Sequence, residues 1–303
     1  MEISKKPAIT TLRNQLFTEK NISLSVLRLD EIHHHISGNK WYKLKYNVEE
    51  FFRLKKKYLV TFGGAFSNHI IATAAAGKEM GIHTIGIIRG DELNENSNGA
   101  LKFASQSGMK LFFVSRIDYR KILDADNLEI ENELLKSIPG FSDFGIQYSD
   151  LFFLPEGGSN SLAVKGCAEI VNSIPEGFNF ICCACGTGAT LAGISTALNE
   201  NHTAIGISVL HGEKFLEKDI LKLNGNKNNF QLLHEYSFGG YAKSNAELDS
   251  FCEQFMLMHA FKIEPVYTGK MFFGLYDLIS KDYFAKGTRI IALHTGGVHF
   301  FQV

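Results

Sequence analysis

Short apolar, β-branched runs punctuate this chain at intervals: YLVTF at 58–62, HTIGIIRG at 83–90, KLFFV at 110–114, LFFLPEG at 151–157, FNFICCAC at 178–185, AIGISVL at 204–210 and RIIALHTGG at 289–297. Runs that are apolar on both faces are what parallel strands covered by helices require, so each is expected to be a buried strand. Between them the apolar period lengthens to that of a helix. The clearest case is 245–259, where Leu248, Phe251, Cys252, Phe255 and then Met258 or His259 recur at three and four residues. NHIIATAAAGKEMG at 68–81 predicts a second helix, closed by Gly81. Alternation of this kind predicts an α/β chain with doubly wound sheets. The more polar stretch from 115 to 148 reads as helices and loop running over the surface.

The bulk numbers narrow the partners. With 303 residues and 45% hydrophobic content the chain can bury the core of one large domain or two ordinary ones. Its 31 basic and 32 acidic residues give a formal charge of −1, which favours neither nucleic acid nor a membrane surface and leaves a small-molecule enzyme as the better fit. No apolar run reaches membrane-spanning length, and MEISKKPAITTLRNQ holds none of signal-peptide length, so the expected address is the cytoplasm. Cys182, Cys183 and Cys185 crowd one apolar run and do not suggest a disulfide framework; all five cysteines are expected as reduced core thiols.

Four segments depart from ordinary patterning. In SGNKWYKL, Lys40 opens an amphipathic helical segment, where burial and the neighbouring Lys43 and Lys45 would lower its pKa and favour an imine-forming amine. The plainer alternative is a solvated lysine cluster. In GGAFSNH, Gly63 and Gly64 end a strand before Ser67, Asn68 and His69 start a helix; the turn suits close approach to a ligand, or Ser67 or Asn68 simply caps the helix. In CGTGAT, Gly186, Thr187, Gly188, Ala189 and Thr190 form a strand-to-helix turn whose amides and hydroxyls suit a phosphate, or a tight turn and no more. A dinucleotide fingerprint would need glycine where Leu191 stands, which ranks a nucleotide-binding oxidoreductase last. Finally, Tyr267 in EPVYTGK follows a proline by two positions, and His294-Thr295-Gly296-Gly297 ends the last strand, where α/β sheets place ligand contacts. The run His33-His34-His35 is no metal site, because adjacent side chains cannot converge on one ion.

A lysine able to form an imine, a phosphate cradle far away in sequence, a Gly-Gly-Ser-Asn turn and a hydroxyl at a strand end are together what pyridoxal 5′-phosphate requires. With these motifs in this order, from about Leu27 to Gly297, the chain resembles the 1-aminocyclopropane-1-carboxylate deaminase and D-cysteine desulfhydrase family, within the tryptophan-synthase-β-like, fold type II pyridoxal-phosphate enzymes. The resemblance implies two α/β lobes: a large cofactor-binding domain of residues 1–43 and 157–303, and a small inserted domain of 44–156. It implies a homodimer as well. By the same resemblance Lys40 bonds the cofactor and then moves the substrate's α-proton. Asn68 meets the cofactor's phenolic oxygen, Ser67 and His69 lie near the substrate, Gly186, Thr187, Gly188, Ala189 and Thr190 hold the phosphate, Tyr241 (in FGGYAKSN) and Tyr267 face the substrate, and Thr295 meets the pyridine nitrogen.

Within the family, cyclopropane deaminases carry Glu after the EPVY-type tyrosine and Leu in the His-x-Gly-Gly turn, whereas this chain has Thr268 and Thr295. Both differences resemble the desulfhydrase branch. A neutral hydroxyl leaves the pyridine nitrogen less fully protonated than a carboxylate would, which suffices for α,β-elimination of a good leaving group. The expected reaction is therefore elimination on D-cysteine or a similar β-substituted amino acid, giving sulfide, ammonia and pyruvate. Deamination of the cyclopropane amino acid and non-catalytic cofactor binding are the alternatives. The chain also departs from the family in having Tyr42 where an arginine is usual, and in ending at Val303, where many members continue.

Overall fold

The structure is a computed structural model that describes residues 5–124, 133, 135–141, 145–212 and 215–297. It divides into two compact units, one formed by the chain up to Lys43 and from Asn160 onward, the other by Leu44–Ser159. In chain order the elements are β1 (Ala8–Thr11), α1 (Gln15–Lys20), β2 (Ser23–Arg28), α2 (Asn39–Arg53), β3 (Tyr58–Gly64), α3 (Asn68–Met80), β4 (His83–Arg89), α4 (Gly99–Gln106), β5 (Lys110–Val114), α5 (Arg116–Leu123) and β6 (Leu151–Leu154). The chain continues through α6 (Ser161–Ala168), β7 (Phe180–Cys185), α7 (Ala189–Ala197), β8 (Thr203–Ser208), α8 (Phe215–Leu223), β9 (Phe230–Leu233), α9 (Ala246–His259), α10 (Thr268–Ser280) and β10 (Arg289–His294).

The first unit holds a six-stranded sheet in the order β1-β2-β10-β7-β8-β9, parallel throughout except for the β1–β2 pair. Its core joins Leu24 and Val26 of β2, Ile205 and Ile207 of β8, and Met271, Phe272 and Leu275 of α10. Cys182 and Cys183 are fully enclosed on β7, and all five cysteines are buried free thiols, as their apolar setting predicts. The sequence pattern missed β1, β2 and β9. SLSVLR breaks its apolar run with two serines, and the other two strands span only four residues each.

The second unit holds a four-stranded parallel sheet in the order β5-β4-β3-β6. Helix α3 keeps the expected boundaries. Ser67 accepts from the Ile70 amide at 3.4 Å at its start, and Gly81 closes it at φ 67°. The region after 115 differs from the surface reading: Tyr119, Ile122, Leu135, Ile138 and Phe141 are buried against Val60, Ile85 and Phe112. Their apolar spacing is too sparse to read from sequence, yet they form one side of this unit's core; residues 125–132, 134 and 142–144 of that region lie outside the described chain. Among the described residues no helix is long and apolar enough to cross a membrane.

Candidate active site

Lys40 is the second residue of α2 and is partly buried. Its Nζ donates to Asn39 Oδ1 at 3.2 Å, while Asn39 Nδ2 donates to Thr190 Oγ1 at 2.8 Å. One turn further on, the enclosed Lys43 donates from Nζ to Thr187 Oγ1 at 3.3 Å. These bonds tie the first turn of α2 to the turn that opens α7. Removal from water pushes the Lys40 amine down to about 7; the charge of Lys43 acts in the same direction, and Cys167 and Glu264 oppose it. A substantial fraction of this amine is therefore neutral, and nucleophilic, near neutral pH.

The turn between β7 and α7 is built to receive an anion. Gly188 occupies the cap position with φ 81°, no side chain caps the helix, and its first turn contains no acidic residue. Helix amides and the adjacent Lys43 ammonium thus present positive charge at one place. Tyr267 closes over this turn, since a Cβ on Gly186 would lie 3.3 Å from Tyr267 Cε1. The Tyr267 ring in turn meets the Tyr241 ring edge-on, with centroids 5.8 Å apart.

Tyr267 is held by a residue that the sequence reading passed over. Glu264, almost fully enclosed, accepts from the amides of Val266 (2.7 Å), Tyr267 (3.0 Å) and Thr268 (2.8 Å) and from the Thr268 hydroxyl (3.1 Å). It acts as an acidic cap on α10 supplied from outside the helix. Burial pushes its carboxyl up to about 7, against these same donors. Every neighbour bonded to its oxygens is a donor, so the ionised form is the one the geometry serves.

Thr295 follows the last residue of β10, and the backbone of the Lys40 loop lies against it. Gly38, at φ 67°, is so close that a Cβ would sit 1.8 Å from the Thr295 carbonyl oxygen. His294 orders this turn: burial lowers its pKa, Nδ1 accepts from the Gly296 amide at 3.3 Å, and Nε2 donates to the Lys262 carbonyl at 2.7 Å. Behind it Asp30 is pinned by Arg28 through bonds of 2.9 and 2.6 Å. The first unit therefore brings together Lys40, Gly186, Thr187, Gly188, Ala189, Thr190, Tyr241, Tyr267 and Thr295, and adds Asn39, Lys43 and Glu264.

In the second unit, Ser67, Asn68 and His69 lie at the start of α3, directly after β3. Ser67 and Asn68 are partly exposed. His69 is enclosed, its Nε2 2.7 Å from Thr61 Oγ1; that hydroxyl donates to the Leu154 carbonyl, which makes Nε2 the donor. Among the described residues no group of three His, Cys, Asp or Glu side chains is placed to hold a metal ion.

Residues 8–296 match the family described as pyridoxal-phosphate dependent enzyme. The chain belongs to this family. A Pyrococcus horikoshii protein provisionally named as a 1-aminocyclopropane-1-carboxylate deaminase is 30% identical over 278 residues, covering 87% of this chain and 81% of the relative. The mitochondrial bifunctional D-cysteine desulfhydrase/1-aminocyclopropane-1-carboxylate deaminase of Arabidopsis thaliana is 28% identical over 286 residues, covering 87% of this chain and 69% of the relative. A solved structure of a 1-aminocyclopropane-1-carboxylate deaminase homologue superposes with a TM-score of 0.79 at 28% identity, covering 98% of this chain and 91% of that one. The fold is that of the fold type II pyridoxal-phosphate enzymes.

The donor set in the first unit fits that cofactor. Lys40 offers a partly neutral amine, and the uncapped α7 N-terminus with Lys43 offers the positive field that a phosphate dianion needs. Bound there, pyridoxal phosphate supplies an electron sink that acidifies the α-proton of an amino acid joined to it.

Proposed function

We propose that this enzyme catalyses α,β-elimination on a small amino acid, D-cysteine or a β-substituted analogue, releasing sulfide (or the corresponding leaving group), ammonia and pyruvate. Loss of the Cα proton and of the β-sulfur, followed by addition of water, balances these products. Lys40 is the base that moves the proton at Cα, with a pKa near 7 that suits it to give and take that proton. Thr187, Gly188, Ala189, Thr190 and Lys43 hold the phosphate. Tyr241 and Tyr267 face the substrate. By resemblance, Asn68 meets the phenolic oxygen, and Ser67, with His69 behind it, serves the substrate carboxylate or proton transfer. The unit carrying Lys40 is on this reading the cofactor-binding domain, and the resemblance alone supports a homodimer.

The observation that carries the elimination reading is the chemistry at positions 268 and 295. Thr268 is fully buried, and its hydroxyl is spent on Glu264, so this position offers no acid to the site. Thr295 brings a neutral hydroxyl to the strand-end turn. A ring nitrogen met only by a hydroxyl is a weaker electron sink than one met by a carboxylate, which suits expulsion of a good leaving group better than opening of a strained ring. Cyclopropane-ring deamination is the second reading, favoured by the name of the Arabidopsis relative, which includes both activities.

Titrating purified protein with D-cysteine, L-cysteine, D-serine and 1-aminocyclopropane-1-carboxylate, while following the cofactor absorbance and the keto acid produced, separates them. Pyruvate and sulfide from D-cysteine are expected. A keto acid from the cyclopropane substrate alone overturns the elimination reading, and an unchanged cofactor band in Lys40→Ala overturns the role of Lys40.

A further inference from the structure

Tyr241 sits within a backbone that is costly to hold. Phe238, Gly239, Gly240 and Ala242 have φ of 50°, 86°, 115° and 55°. Two of these residues carry side chains, and left-handed backbone costs such residues roughly 1–2 kcal/mol each. A segment of this kind keeps one shape only where its surroundings over-determine it.

Those surroundings are one face of α10, along Lys270, Phe273, Gly274 and Asp277, which recur at helical spacing. Lys270, with no exposed surface, donates from Nζ to the Ser237 carbonyl at 2.8 Å and the Gly240 carbonyl at 2.6 Å. Phe273 meets Phe238 edge-on with centroids 5.0 Å apart. Gly274 makes room for the Tyr236 ring, 2.9 Å from where a Cβ would stand, and Asp277 Oδ2 accepts from the Tyr236 hydroxyl at 2.8 Å. Tyr267, fixed by Glu264, occupies the cap position at the start of the same helix. One helix therefore braces both tyrosines, and the buried lysine is its polar link to the carbonyls on either side of Phe238 and Gly239, just before Tyr241.

We propose that Lys270 is a positioning residue for substrate affinity: by binding the carbonyls of Ser237 and Gly240 it holds the left-handed loop on α10 and so sets Tyr241 against Tyr267. The inference rests on the reading that the two tyrosines face the substrate. A lysine suits this task because its long stem crosses the apolar interior while its head serves two acceptors at once. Methionine would fill similar space but leave both carbonyls without that donor.

The test compares wild type, Lys270→Met, Lys270→Gln, Tyr241→Phe and the Lys270→Met/Tyr241→Phe double variant as holoenzymes. The substrate is D-cysteine, or 1-aminocyclopropane-1-carboxylate if that is the amino acid turned over. Expected for Lys270→Met is an unchanged cofactor absorbance band, a KM raised tenfold or more and a kcat within threefold of wild type. Lys270→Gln, which keeps two N–H donors on a shorter arm, recovers part of the affinity. In the Tyr241→Phe background the lysine substitution changes kcat/KM less than threefold, because both act through one contact. A wild-type KM in Lys270→Met, or full additivity in the double variant, overturns the inference and leaves the proposed function standing. A silent Tyr241→Phe overturns the tyrosine reading and the inference with it. Should Lys270→Met not be recovered folded, Lys270→Gln decides alone, and a KM within twofold of wild type overturns the proposal.

Discussion

Gly38 and Thr295, from opposite ends of the chain, lie so close that a methyl group on the first would overlap the carbonyl oxygen of the second. Only Asn39 separates Gly38 from Lys40, so this contact fixes where the reactive amine leaves the backbone. Gly38→Ala adds both the overlap and a left-handed backbone on a residue with a side chain. We expect it to lower stability by about 1–3 kcal/mol and to weaken cofactor retention, checked by thermal unfolding and by the absorbance of dialysed protein.

The lowered pKa of Lys40 has a definite sign in pH experiments. Below about 7 its amine is mostly protonated, and above it mostly neutral. Apo-protein mixed with pyridoxal, which lacks the phosphate, is expected to form an imine at a rate that rises about tenfold per pH unit below 7 and levels above it. Lys43→Met removes a charge that disfavours the Lys40 ammonium, so the profile is expected to move to higher pH. A profile unmoved in this variant would show that burial alone sets the value.

Glu264 serves the start of α10 from outside the helix. Glu264→Gln places an amide where only donors converge, and a loss of about 1.5–3 kcal/mol is expected, read as a fall in thermal midpoint of several degrees. Because Tyr267 begins that helix, a rise in KM should accompany it while the cofactor band persists.

Ser67 has one task visible in the structure, as the cap of α3, and one proposed in turnover. Ser67→Ala is expected to lose roughly 1 kcal/mol, whereas Ser67→Gly loses only a few tenths. Comparable losses of activity in both variants, tenfold or more, would track the missing hydroxyl rather than stability. Activity that follows the thermal midpoint would leave Ser67 a cap alone.

Much of the fold was legible because strands covered on both faces must be apolar throughout, as YLVTF and FNFICCAC are. SLSVLR escaped notice because the pattern has no means of showing that Ser25 ends up buried, facing Thr11 across the β1–β2 pair with hydroxyls 3.0 Å apart. The motif glycines and threonines of the candidate site were legible as clusters. Glu264 and the burial of Lys43 were not, since a lysine directly after a Trp-Tyr pair, or a glutamate before proline, looks like surface until the fold encloses it. His69 was legible as part of GGAFSNH, but not its enclosure or its bond to Thr61 within its own unit.

The place of β10 also bears on how the molecule is made. This strand lies between β2 and β7, so the larger sheet lacks a central member until the chain has been extended past His294. The unit of Leu44–Ser159, contiguous in sequence, has no such dependence and is free to fold while the ribosome is still extending the chain. The turn before Lys40 can meet the Thr295 turn only after residue 295 has been made, so on the proposed reading the cofactor site is completed after the unit of Leu44–Ser159.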